Sequence, residues 1–125
     1  MEALIQAWHQ LLQNPDMGEL RNLLAEDAVF HSPVVFTPQE GREITALYLG
    51  SALKVLVNPS FRYTRQIIGE QDAVLEFEVE IEGIKVNGVD MIRANEQGQI
   101  EDFKVMLRPL KAINLIHQKM AALVA

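Results

Sequence analysis

In the segment DAVLEFEVEIE, residues 72–82, apolar Ala73, Leu75, Phe77, Val79 and Ile81 alternate with Glu76, Glu78, Glu80 and Glu82. A helix, with its period of 3.6, would scatter the two sets around its surface, whereas a strand sends them to opposite sides. The chain must therefore contain a sheet with one buried and one polar face, as antiparallel sheets commonly have. Three further strand-like runs surround this one: SFRYTRQIIG (60–69), IKVNGVDMIRAN (84–95) and QIEDFKVML (99–107). NEQG at 95–98 places a glycine where a tight turn calls for positive φ, so the last two runs form a hairpin.

The N-terminal part has the other period. Leu4, Ile5, Trp8, Leu11 and Leu12 make one apolar stripe of a helix that ends at Asn14-Pro15. Asp16, with Glu19 three residues on, has the form of an N-cap for a short second helix carrying Leu20, Leu23 and Leu24. DAVFHS (27–32) and VVF (34–36) read as two short strands or one bent pair. REITALYLGSALKVL (42–56) then gives a third helix with Ile44, Leu47, Tyr48, Ala52, Val55 and Leu56 on its inward side. A closing helix has Leu110, Ile113, Ile116, Met120, Leu123 and Val124 as its stripe, with Pro109 at its start. Helices first and a long meander after them, with little strand–helix–strand alternation, predict an α+β fold in a single domain over 1–125.

Composition narrows the chemistry. The chain has no cysteine, which removes thiol nucleophiles, disulfides and cysteine-held metals. The three histidines lack ligand spacing, so neither a metal nor another cofactor is expected. A net charge of −6 opposes binding to nucleic acid. No apolar run reaches the ~20 residues of a membrane span, and the N-terminus lacks the features of a signal peptide, so a soluble cytoplasmic protein with no membrane partner is expected.

Two motifs carry a family likeness. LLAEDAVFHSP (23–33) resembles a helix-to-strand passage of the nuclear transport factor 2-like superfamily, and VDMIRANEQGQIEDF (89–103) resembles its hairpin. That superfamily includes ketosteroid isomerase and the SnoaL-like polyketide cyclases. The resemblance implies a cystatin-like fold in which a strongly curved antiparallel sheet wraps around the N-terminal helices as a cone with an internal pocket. It also implies a homodimer through the outer sheet face. Matched to ketosteroid isomerase, Asp90 stands where that enzyme has the protonated aspartic acid of its oxyanion hole. Trp8 stands at its oxyanion-hole tyrosine, and Ser32 at its proton-shuttling aspartate. A hydroxyl without an activating base does not replace a carboxylate that takes a proton from carbon.

The residues themselves also make Asp90 the candidate functional group. If Val86, Gly88, Asp90, Ile92 and Ala94 share the inner face of one strand, the carboxyl points into the pocket, where burial raises its pKa. The bland alternative is an ion pair with Arg65, a cation on the same side as Phe61, Tyr63 and Ile67. Trp8, Ser32, Tyr48, Phe77, Val79, Ile92, Phe103 and Val105 are the expected ligand-contacting residues around it. His31 is expected to be a partly buried or interface histidine, His9 exposed, and His117 to pack beside the last helix's stripe. The glutamate row is expected to oppose Arg62, Arg93 and Lys104, with Val89, Met91 and Met106 making the outer face partly apolar. Three functions fit. The first is a small-molecule cavity protein that binds a hydrophobic or aromatic carbonyl compound. The second is an isomerase or cyclase using Asp90 as acid or oxyanion donor, and the third a noncatalytic dimerisation module.

Overall fold

The computed structural model describes residues 1–124. Four helices and six strands follow in the order α1 (Glu2–Gln13), α2 (Met17–Leu23), β1 (Leu24–His31), β2 (Gln39–Glu40), α3 (Arg42–Leu56), β3 (Arg62–Ile68), β4 (Asp72–Ile81), β5 (Ile84–Ala94), β6 (Ile100–Arg108) and α4 (Leu110–Val124). The strands form one open sheet ordered β2-β1-β6-β5-β4-β3. The β3–β6 meander is antiparallel throughout, and β1 joins it by pairing parallel with β6. Register shifts between Tyr63 and Arg65, Arg93 and Ala94, and Leu24 and Val29 bend the sheet, as bulges do. Its inner face meets α1 through the contact of Trp8 with Phe103.

Period-two alternation decides which residues enter the core. In β4, Ala73, Leu75, Phe77, Val79 and Ile81 are all buried, and in β5 Val86, Gly88, Asp90, Ile92 and Ala94 are. Gly88 leaves room for the side chains of its two cross-strand partners, Phe77 and Leu107. A Cβ there would lie 2.5 Å from Phe77 Cζ and 2.7 Å from Leu107 Cδ2, so any larger residue overpacks the sheet at a cost of about 1–3 kcal/mol. At the β5–β6 turn Gly98 has φ +78, the left-handed conformation expected there. Asn95 Oδ1 holds this turn by accepting from the N–H groups of Gln97 and Gln99. The Asp16 cap also forms: Oδ1 accepts from the N–H groups of Gly18 and Glu19.

Several local expectations change. Leu24 opens β1 rather than closing α2, and 34–36 is not a strand; the second strand is Gln39–Glu40, antiparallel to β1. Ser32 Oγ accepts from Val34 N–H at 3.1 Å, so a side-chain turn occupies that backbone and competes with pairing. On α3 the buried side is Thr45, Ala46, Leu49, Gly50, Ser51, Ala52 and Leu56, while Ile44 and Leu47 are exposed and Val55 is half-buried. Thr45 lies on this side, where its hydroxyl donates to Ala28 O at 3.0 Å, and small Ala46 and Gly50 are buried beside it. On α4 the buried residues are Ala112, Ile116 and Met120, leaving Leu110 and Leu123 exposed.

Arg65 is the largest correction. The bulge after Tyr63 flips the sides of β3, so Arg65 pairs opposite Glu76 and Ile67 opposite Val74 on the outer face. Arg65 binds Glu76 there, with Nη2 at 3.0 Å from Oε1, and does not meet Asp90. The glutamate row is opposed in part as expected, by Arg62 at Glu78; Arg93 pairs instead with Asp72. No helix among the described residues is long and apolar enough to cross a membrane.

Candidate functional site

Asp90 is brought inward by its register. It lies between Leu75 of β4 and Val105 of β6, and Phe77, one inward step along β4, lies opposite Tyr63 of β3. The helix side is closed by Trp8. These placements produce one hydrogen-bond series: Trp8 Nε1–H donates to Tyr63 Oη at 2.8 Å, and Tyr63 O–H donates to Asp90 Oδ2 at 2.6 Å. The second bond has the short length usual for a hydroxyl bonded to a carboxylate. Successive donation polarises each link toward Asp90.

Asp90 is only 6% exposed, and its surroundings are aromatic. Phe61 stacks on Phe77 at 5.1 Å and meets Tyr63 edge-on at 5.1 Å, while Trp8 leans on Phe103 at 5.0 Å. Loss of solvation pushes the carboxyl up to about 7, against the opposing pull of the Tyr63 hydrogen bond. The Tyr63 hydroxyl is raised as well, first by burial and then by the neighbouring Asp90 charge. The ring of Tyr63 keeps some exposure, but its hydroxyl end is enclosed. Asp90 Oδ1 has no hydrogen-bond partner among the described residues, yet it is not a sealed, unsatisfied atom. Asp90 itself lines the small chamber beside it.

That chamber is lined by Trp8, Leu49, Tyr63, Phe77, Asp90, Phe103 and Val105, with Leu53, Leu56 and Val57 from the end of α3. Its volume is about 10 Å³, room for about one water molecule. A second cavity of about 10 Å³ adjoins it, lined by Phe30, Ser32, Pro33, Val34 and α4 residues. Ala52, Leu56 and Val105 line both and form the wall between them.

The structure thus brings Asp90 together with Trp8, Phe77, Phe103 and Val105. It places Ser32 across the Leu56 wall, on the second cavity. Tyr48 packs on Phe30 at 6.5 Å and lines neither space. Val79 and Ile92 are buried in the core but also line neither. Tyr63 is the member that sequence reading passes over as a site residue. A signal existed, because a tyrosine placed beside Phe61 on an inward face has a hydroxyl that must find a partner. No histidine lines the chamber: His31 Nε2 bonds Asp102 Oδ1 at 2.7 Å on the outer face, His9 bonds Gln66 at 2.9 Å, and His117 is exposed. Among the described residues no three His, Asp or Glu side chains gather as a metal site requires.

Chemically, the arrangement is a proton donor in an apolar shell. When Asp90 is protonated, Oδ2 accepts from Tyr63 and Oδ1 can carry the proton toward the chamber. A carboxyl poised near 7 changes protonation state within the physiological range.

The fold as a whole has relatives among known structures. A steroid delta-isomerase of Pseudomonas aeruginosa is 33% identical, with a TM-score of 0.90 over 97% of this chain and 88% of that one. An uncharacterised protein of Silicibacter pomeroyi with a cystatin-like fold is also 33% identical, at 0.89 over 98% and 85%. A protein of Catenulispora acidiphila with a ketosteroid isomerase-like fold, solved with trimethylamine, shares only the fold, at 16% identity and 0.65 over 88% of each chain. No curated protein matches. Residues 5–103 match the model of the SnoaL-like domain, and with the isomerase-like relatives this establishes that the chain belongs to the SnoaL-like family.

Proposed function

We propose that the protein binds a small apolar carbonyl compound whose oxygen accepts a hydrogen bond from the free oxygen of protonated Asp90. The observation that carries this reading is the series Trp8–Tyr63–Asp90, which ends on a buried carboxyl that lines the chamber and has one oxygen committed to Tyr63. An apolar pocket with a few fixed polar groups is what small-molecule sites generally require. At about 10 Å³ the chamber is too small to take a ketone as it stands, so a ligand must displace side chains to enter.

The test is titration of simple ketones followed by fluorescence of Trp8, the single tryptophan, which lines the chamber. Only protonated Asp90 donates, so Kd is expected to rise about tenfold per pH unit above about 7. Asp90→Asn keeps a donor that does not titrate and is expected to give a flat profile. Wild-type binding that is indifferent to pH between 6 and 9 would sink the reading.

A second reading, isomerase or cyclase, is favoured by the 33% identity to a steroid delta-isomerase and by the proton donor itself. The same donation that holds a carbonyl would stabilise the negative oxygen formed when a neighbouring carbon loses its proton. No carboxylate other than Asp90 and no histidine lines the chamber to act as base, and Ser32 Oγ is engaged with Val34 N–H. Binding is therefore the better supported function, and proton exchange into a bound ketone in deuterated buffer is the assay for turnover.

We also propose a homodimer through the outer sheet face. Val74 and Val89 are half-buried and Ile67, Met91 and Met106 exposed on that face, beside the ion pairs of Arg62 and Arg65 with Glu78 and Glu76. Exposed apolar groups rimmed by polar ones mark interaction surfaces. Sedimentation is expected to give a dimer at micromolar concentration and a monomer for Met106→Glu; a monomeric wild type removes the proposal.

A further inference from the structure

A surface groove of about 230 Å³ lies between the α1–α2 turn and α3, lined by Leu11, Met17, Leu20, Gly50, Leu53 and Val57. Leu53 and Val57 line the Asp90 chamber as well, so a single layer of side chains separates the two spaces. The groove offers little to a polar occupant. Asp16 on its rim already uses Oδ1 to cap α2, and Lys54 stands at the solvent edge.

Its floor is a glycine in the middle of a helix, a choice that costs roughly 0.5–1 kcal/mol relative to alanine. The absent side chain leaves the space that Met17 fills: Met17 Sδ lies 2.8 Å from where a Gly50 Cβ would stand. Met17 is 41% exposed and unbranched, a side chain that can swing out and re-pack against a different surface.

We propose that this groove is the outer compartment of the Asp90 site and holds the unbranched apolar tail of a ligand whose carbonyl head reaches Asp90. The proposal rests on the carbonyl-binding reading above. The relative volumes set the outline of the ligand: a chamber for a group the size of a carbonyl, the Leu53 and Val57 side chains that must part to let it through, and a larger apolar groove outside. A long-chain ketone, aldehyde or acyl compound has that outline.

The experiment uses methyl ketones from 2-butanone to 2-decanone at pH 6, with Trp8 fluorescence as readout. Affinity is expected to rise by up to about fourfold for each methylene that is buried, and then to level off once the groove is full. In Met17→Ala/Gly50→Leu, where a leucine fills the groove, the rise with length is expected to vanish while 2-butanone, too short to reach it, still binds. Met17→Ala alone, a mild change at a partly exposed position, is expected to move the levelling-off to a longer ketone.

If 2-butanone binds with the pH profile given above but longer ketones gain nothing, the groove proposal is overturned and the carbonyl reading stands. If the gain with length survives in the filled variant, the tail lies elsewhere and the proposal is likewise overturned. If no ketone binds at all, the carbonyl reading fails and the groove proposal fails with it.

Discussion

Stability of the wild-type protein is expected to fall by about 4 kcal/mol between pH 4 and pH 8 relative to Asp90→Asn. The ordinary value of 3.8 applies to Asp90 in the unfolded chain, and burial raises it to about 7 in the folded one. Below about pH 4 both states hold the proton, and the full contribution of Asp90 is present. Between 4 and 7 the unfolded chain releases its proton and the folded chain keeps it, so rising pH favours unfolding. Above about 7 both are ionised and the loss is complete. A displacement from 3.8 to about 7, at about 1.36 kcal/mol per pH unit, gives the stated magnitude. Because Asp90 is buried, solvent screening does not reduce it.

Glu76 acts in the opposite sense. Hydrogen bonds from Asn87 and then Arg65 hold its carboxyl below the usual range, so its contribution is lost as pH falls through its folded value. The acid limb of the stability curve therefore survives in Asp90→Asn, and the difference between the two curves isolates Asp90. Urea denaturation at intervals from pH 4 to 8 measures that difference. A constant difference across the range would show that Asp90 has an ordinary affinity for protons in the folded chain.

Tyr63→Phe is the second substitution with a large expected effect, about 2–6 kcal/mol of destabilisation. Removing one hydroxyl breaks two bonds at once, leaving the Trp8 Nε1–H without its acceptor and Asp90 Oδ2 without its donor. Each buried group that loses its partner costs about 1–3 kcal/mol. The ring remains, so the contacts with Phe61 and Phe77 are kept and the loss reports the hydrogen bonds rather than packing. The same substitution removes the interaction that lowers the Asp90 pKa, so the pH at which ketone affinity fails is expected to move above about 7. Thermal denaturation and the ketone titration together check both effects. A variant as stable as wild type, with its pH profile unmoved, would mean that the series does not exist in solution.

The parts of the fold that were legible in the sequence are those governed by one strong period. The alternation from Ala73 to Ile81 placed every inward residue of β4, and the strand carrying Asp90 followed by the same rule. Asp16 and Gly98 were legible because a cap and a positive-φ turn restrict residue type locally. What could not be read was set by contacts made far along the chain. The inward side of α3 includes Thr45, whose partner Ala28 O lies on another element, and the side taken by Arg65 depends on a bulge that only pairing with β4 reveals. Asp90 could be placed from its strand alone. Its partner could not, since a Tyr63 hydroxyl and an Arg65 guanidinium were both within reach by spacing, and a one-residue bulge decided between them. The closeness of the chamber walls also has no sequence signature, because it depends on how rings from α1, β3, β4 and β6 meet.

β3 lies at the edge of the sheet and is exposed along most of its length, so burial does little to fix its alignment against a slip of one residue. Such a slip would turn the Tyr63 hydroxyl out of the core and bring the side chain of Arg62 or Thr64 toward Trp8 and Asp90. Both of those buried groups would then lose a partner they can find in one alignment alone. The polar series therefore works as a proofreading device for sheet alignment. Its links join residues 55 and 27 positions apart in the chain, and they add a penalty for misaligned structures to the one that the apolar side chains impose.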